Sequence, residues 1–197
     1  MNFDELFAHT PIMAILRNVG VATSLQLAQK AWSVGIDVVE VTVQSEQDLD
    51  ALHAVAEQAR AHNKVVGAGT ILSPQQLPDV AQAGAAFTVS PGFDTDVLQA
   101  SLESRLPHLP GVATPTEVQA ALSQGVQWLK AFPAAHLGPD WFKTVRGPFP
   151  QVKFVATGGI DASNAQAFLS AGVELVAVGS ALADPSQLDK LSRLINP

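Results

Sequence analysis

The most restrictive feature of this chain is a glycine that recurs four times in one local setting. Ser33-Val34-Gly35-Ile36, Gln82-Ala83-Gly84-Ala85, Ser123-Gln124-Gly125-Val126 and Ser170-Ala171-Gly172-Val173 each end an amphipathic segment and lead into an apolar one. Glycine suits the position just past a helix, where the backbone turns to positive φ. The four stand 49, 41 and 47 residues apart. Each interval is about two strand–helix units. The chain therefore counts out eight units, with the glycines preceding the second, fourth, sixth and eighth strands.

The apolar runs agree. They are Ile12–Leu16, Val38–Val43, Val65–Ala68, Ala86–Ser90, His108–Pro110, Trp128–Phe132, Phe154–Thr157 and Leu175–Val178. They are rich in Val, Ile and Phe and barely alternate, which is how parallel strands buried on both faces read. Helices are predicted over Ala22–Val34 (starting near Thr23 or Ser24), Glu46–His62 (after Ser45 as cap), Pro74–Ala83 (after Ser73), Asp94–Ser104, Pro115–Ser123, Pro139–Val145, Asn164–Ala171 and Ser186–Ile195. The fold class is α/β, a (β/α)8 TIM barrel, with residues 1–197 as one domain. At about 25 residues per unit the loops must be minimal. An open doubly wound sheet is the alternative.

Composition narrows the function. The chain is 47% hydrophobic and 15% charged, a globular balance. Its net charge of −7 disfavours nucleic acid and anionic membranes as partners. The absence of cysteine excludes disulfides, metal thiolates and thiol nucleophiles. Met1 to Pro11 lacks the apolar core of a signal peptide, and no apolar run approaches the ~18 residues of a membrane span, so a cytoplasmic protein is expected. The histidines at 9, 53, 62, 108 and 136 show no ligand spacing, and no carboxylate–histidine cluster gathers at strand ends. Neither a metal nor another cofactor is expected.

Two residues look misplaced unless they carry chemistry. Lys130 sits in Trp128-Leu129-Lys130-Ala131-Phe132-Pro133 and Glu40 in Val38-Val39-Glu40-Val41-Thr42-Val43. Each lies five residues after its glycine, Gly125 or Gly35, so both should stand at one height and on one face of opposite strands, near the C-terminal mouth. Burial favours the neutral amine of Lys130, the form that attacks a ketone. The structural alternatives are a lysine whose tip reaches solvent or an ion pair holding the rim together. Buried pairs rarely add net stability, so proton transfer is the better reason to keep one there.

The remaining candidates are weaker alone. Arg17, ending the first strand, suits a substrate carboxylate, though an arginine there can simply be solvated. Gly67-Ala68-Gly69-Thr70 offers close approach and a hydroxyl, or just barrel packing. Thr157-Gly158-Gly159 and Gly179-Ser180 end the seventh and eighth strands, where exposed amides at the following helix starts make a phosphate cradle. Ser90-Pro91-Gly92 and Phe132 are expected to shape the pocket wall. His136 is read as an exposed loop residue.

Taken in order, Ala14-Ile15-Leu16-Arg17, Val39-Glu40-Val41-Thr42, Gly67-Ala68-Gly69-Thr70, Ser90-Pro91-Gly92, Pro110-Gly111-Val112-Ala113-Thr114, Leu129-Lys130-Ala131-Phe132-Pro133, Gly147-Pro148-Phe149, Thr157-Gly158-Gly159-Ile160 and Gly179-Ser180 resemble the KDPG/KHG aldolase family. These are the 2-dehydro-3-deoxy-phosphogluconate and 4-hydroxy-2-oxoglutarate aldolases. The resemblance implies a homotrimeric class I aldolase barrel acting on a phosphorylated 2-keto acid. It implies the Schiff-base lysine at Lys130, the proton-transferring glutamate at Glu40, and pyruvate-carboxylate contact at Thr70 with Arg17 nearby. It implies phosphate at Gly158-Gly159 and Gly179-Ser180. Many members carry an arginine where this chain has Gln44. Two other classes share part of the pattern: a phosphosugar isomerase or epimerase barrel, and a non-catalytic sugar-phosphate binding domain.

Overall fold

The structure, a computed structural model, describes residues 2–8 and 10–195. His9 lies outside them. Nine parallel strands run β1 (Ile12–Leu16), β2 (Val38–Thr42), β3 (Val65–Gly69), β4 (Thr88–Val89), β5 (His108–Leu109), β6 (Gly111–Val112), β7 (Trp128–Ala131), β8 (Lys153–Thr157) and β9 (Leu175–Val178). They pair in the order β5-β4-β3-β2-β1-β9-β8-β7-β6. β5 falls within the fifth predicted strand, His108–Pro110, and β6 resumes the stave beyond the break at Pro110, outside the predicted bounds. Proline has no amide to give a ladder, and its carbonyl still accepts from Lys130 N at 2.9 Å. Because β5 pairs with β4 and β6 with β7, this kinked stave closes the ring. The fold is an eight-staved (β/α)8 barrel, not an open sheet.

Both strand faces are buried, which is why the strands do not alternate in sequence. Ala14, Leu16, Val39, Val41, Leu129 and Phe154 pack outward against the helices. Met13, Ile15, Val38, Phe87, Val89, Leu109, Val155, Leu175 and Ala177 fill the barrel. The four punctuating glycines have φ of 90°, 95°, 80° and 90° in chain order, as helix ends require. Five residues after each stand Glu40, Val89, Lys130 and Ala177, all buried. They come from alternate staves, the composition of a single interior layer of this fold.

The flanking helices are α2 (Gly20–Ser33), α3 (Glu46–Ala61), α4 (Leu77–Gln82), α5 (Thr95–Glu103), α6 (Pro115–Ser123), α8 (Pro139–Arg146), α9 (Ala165–Ser170) and α10 (Pro185–Ile195). Ser45 caps α3 by accepting from Asp48 N, and Asp94 caps α5. The expected cap at Thr23 or Ser24 is wrong: α2 starts a turn earlier at Gly20 with no side-chain cap, so both residues lie inside the helix. Two short helices were not predicted. One is α7 (Ala134–Leu137). The other, α1 (Phe3–Leu6), plugs the N-terminal end of the barrel. There Phe3 and Phe7 stack at 5.1 Å, and each lies 5.9 Å from the Phe87 ring. Asp4 ties this plug to Trp128 Nε1 at 3.0 Å and to Lys153. Lys64, at the same end, pairs with Asp37 at 2.5 Å.

The β4–β5 seam holds a buried imidazole. His108 Nδ1 lies 2.8 Å from Thr88 Oγ1, and Nε2 lies 3.0 Å from Ser90 Oγ. Desolvation lowers its pKa from 6.5 to about 4, against the opposing pull of Asp94. Between these values the unfolded chain takes up a proton that the folded chain refuses. Stability therefore falls as pH drops from 6.5 toward 4, by up to about 3 kcal/mol from this ring alone. Denaturant titrations across that range should show this slope in the native chain and a shallower one in His108→Gln.

Candidate active site

Every interior position at the barrel mouth is set by its stave. Glu40 stands opposite Ile15 on β1 and Gly67 on β3. Lys130 stands opposite Gly111 on β6 and Val155 on β8. The side chains meet across the barrel, with Lys130 Nζ 3.9 Å from Glu40 Oε1. Lys130 is 3% exposed and Glu40 0%. The spacing exceeds a direct hydrogen bond, and one oxygen atom could bond to both at about 2.8 Å. Neither carboxylate oxygen of Glu40 has a hydrogen-bond partner, and the buried Thr157 hydroxyl has none either. Unpartnered buried polar atoms are costly and mark a place built for another molecule. Burial pushes the Lys130 amine below its ordinary range. The Glu40 charge opposes this shift and the Arg17 charge adds to it. The lysine is thus biased to the nucleophilic, uncharged form.

Glycines create the space. A Cβ on Gly67 would overlap the Phe87 ring, and one on Gly69 would overlap the Glu40 carboxylate. In Gly67-Ala68-Gly69-Thr70 it is thus the chain's own side chains that approach closely. Gly111 similarly has no room for a side chain, because the Pro91 carbonyl lies against it. Pro91 therefore backs the stave that pairs with Lys130. Thr70 holds φ at 63°, a strained conformation for a β-branched residue. It is pinned on both sides, by Val43 N donating to Gly69 O at 2.9 Å and by Ile71 N donating to Val89 O at 3.0 Å.

Beside this pair opens a cavity of about 220 Å³. Ile15 and Arg17 enter it from β1, Phe132 from β7, Thr157 to Asp161 from the β8 exit, and Ala177, Gly179 and Ser180 from the β9 exit. Seven sequence-predicted residues thus share one space: Arg17, Phe132, Thr157, Gly158, Gly159, Gly179 and Ser180. Thr70 and Pro91 are not among its walls. Phe132 links the two regions, since its ring centroid is 5.5 Å from Lys130 Nζ and its edge would meet a Cβ on Gly158 at 3.0 Å. Gly158 and Gly159 have φ of 96° and 72°.

The expectation of helix starts at these glycines holds at one exit and needs correction at the other. Gly179 leads directly into a 3₁₀ helix, Ser180–Ala183, but α9 begins only at Ala165, so Gly158 and Gly159 form a glycine turn with no helix N-terminus behind it. Gln44 lines a separate groove with Glu46, Leu49 and Gln76, apart from Arg17. His136 is exposed, as read, but it lies in α7 and not in a loop. Asp161 and Ile160 were missed. They directly follow the glycine pair, and that adjacency was the available signal. Among the described residues no His, Cys, Asp and Glu cluster could hold a metal ion, and no helix is long and apolar enough to cross a membrane.

The model of the KDPG and KHG aldolase family matches residues 3–194. The chain belongs to this family. It is 34% identical to the KHG/KDPG aldolase of Escherichia coli K12, over 94% of this chain and 87% of that one. It is 31% identical to the 2-dehydro-3-deoxy-6-phosphogalactonate aldolase of the same strain, over 87% and 84%. The KDPG aldolase of Legionella pneumophila, captured with pyruvate as a covalent carbinolamine, superposes with a TM-score of 0.84 at 33% identity, covering 96% of this chain and 94% of that one. Membership decides among the three functional classes that the motifs allow: the chain is an enzyme, a carbon–carbon lyase of the aldolase type. Gly69→Ala should push the Glu40 carboxylate off its position and cut turnover by about 100-fold, measured as steady-state pyruvate release. Wild-type turnover in that variant would show that the carboxylate position is immaterial.

Proposed function

We propose that this aldolase works through a Schiff base on Lys130, with Glu40 as the proton carrier. The substrate is a 2-keto-3-deoxy-6-phospho sugar acid or 4-hydroxy-2-oxoglutarate. The observation that carries the reading is the meeting of a buried, pKa-depressed amine with a buried carboxylate that has no other partner, 3.9 Å apart at the barrel mouth.

The amine attacks the C2 ketone to give a carbinolamine, and loss of water gives an iminium. Glu40 accepts the proton of the C4 hydroxyl. The C3–C4 bond breaks, its electron pair moves into the iminium to form an enamine, and the C4 fragment leaves as an aldehyde. That aldehyde is glyceraldehyde 3-phosphate or glyoxylate. Glu40 returns the proton to C3, and water releases pyruvate and regenerates the amine. Thr70 receives the pyruvate carboxylate. Arg17, which lines the neighbouring cavity, supplies the cation for the anionic substrate. Gly158, Gly159, Gly179 and Ser180 turn backbone toward the phosphate or distal carboxylate, Thr157 and Phe132 complete the walls, and Pro91 supports the site from behind Gly111. No metal or organic cofactor takes part. Residues 1–197 act as one catalytic domain, in a cytoplasmic homotrimer by family resemblance.

Lys130→Ala should abolish pyruvate release in a lactate-dehydrogenase-coupled assay and end borohydride trapping of pyruvate. Retained trapping would reject the lysine. Glu40→Gln should still be trapped by borohydride but release pyruvate 100-fold or more slowly, at the lower bound of general acid–base catalysis, about 10². Unaltered turnover would remove Glu40 from the mechanism.

A further inference from the structure

The cavity beside Lys130 carries a charge that the proposed substrates do not welcome. Its lining includes one cation, Arg17, and one anion, Asp161. Their formal charges cancel. A terminal phosphate, doubly charged near neutrality, would lie between two glycine turns within a space of about 220 Å³ that has Asp161 among its walls. An uncharged hydroxyl tail would meet no such repulsion.

Asp161 cannot readily turn away. Its Oδ1 accepts from Ser163 N at 2.7 Å and from Ser163 Oγ at 2.6 Å. Its own amide donates to Asn164 Oδ1 at 3.0 Å, and Asn164 Nδ2 donates to Gly159 O at 2.8 Å. Asn164 thus ties the Asp161 backbone to the glycine turn, and Ser163 fixes the carboxylate. The Ser163 hydroxyl and amide hold its pKa below the usual carboxylate range, with a smaller contribution from Lys190 on α10. The charge is therefore present throughout the working range of pH.

We infer that Asp161 is a specificity-determining residue, which weakens selection of a phosphorylated tail relative to an uncharged one. The inference rests on the aldolase reading above and deepens it by naming what sets tail preference. Asp161→Asn removes the charge and keeps the acceptor that Ser163 needs, so it separates electrostatics from loop structure. Asp161→Ser is a second replacement with a different shape. The two substrates are 2-keto-3-deoxy-6-phosphogluconate and its unphosphorylated counterpart, and the readout is the ratio of their kcat/KM values.

Both variants should raise that ratio in favour of the phosphorylated substrate by about tenfold, worth about 1.4 kcal/mol. The gain should appear mainly in KM, since the tail lies away from the reacting bond. It should shrink as ionic strength rises, because a partly open cavity is screened by salt. A ratio that stays put or falls in both variants would overturn the inference while leaving the aldolase reading intact. A wild-type enzyme that cleaves only 4-hydroxy-2-oxoglutarate would overturn the inference alone, and one that cleaves none of the three compounds would overturn both.

Discussion

A primary amine taken out of water prefers to lose its proton, and a carboxylate beside it pulls the other way. Lys130 and Glu40 are held in that contest at 3.9 Å, and the rest of the barrel mouth is arranged around it. Burial dominates for the lysine. The glutamate keeps both oxygens free of other partners, so its capacity to take a proton is not spent on the protein. Had Glu40 been satisfied by neighbouring amides, it would be a structural carboxylate. Had Lys130 reached solvent, it would be an ordinary cation. Opposite staves of one closed cylinder prevent both outcomes.

The closure itself was readable in advance only in part. Gly35, Gly84, Gly125 and Gly172 marked alternate units because helix ends impose a backbone that other residues resist. Counting five residues onward then put Glu40 and Lys130 in one layer. The break at Pro110 was harder. His108–Pro110 reads as a short strand, and nothing local says that the stave resumes at Gly111 to serve a different neighbour. The α1 plug was missed because four helical residues carry no periodicity; its placement comes from contacts with Phe87 and Trp128, far away in sequence.

The site divides in the same way. Lys130 and Glu40 stood out because a charge in an apolar strand violates its surroundings. Arg17 and the glycine turns gathered as expected, since strand exits of a barrel converge whatever their sequence separation. The sequence left two readings open where a local motif had two geometries. Gly67 and Gly69 make room for Phe87 and Glu40, which a list of small residues cannot distinguish from room for a ligand. Asp161 belongs to no motif that the sequence singles out, and its place in the cavity wall appears only once the β1 and β9 exits are set beside it.

The aromatic stopper at the N-terminal end has a kinetic corollary. With that end packed by Phe3, Phe7 and Phe87, substrate and products share the C-terminal mouth, and in the proposed chemistry the three-carbon unit stays bonded to Lys130 after the other fragment departs. Release is then obligatorily sequential: the aldehyde goes first and pyruvate last. Run in reverse, pyruvate must bind before its acceptor, so an aldehyde arriving early blocks the passage and inhibits condensation at high concentration.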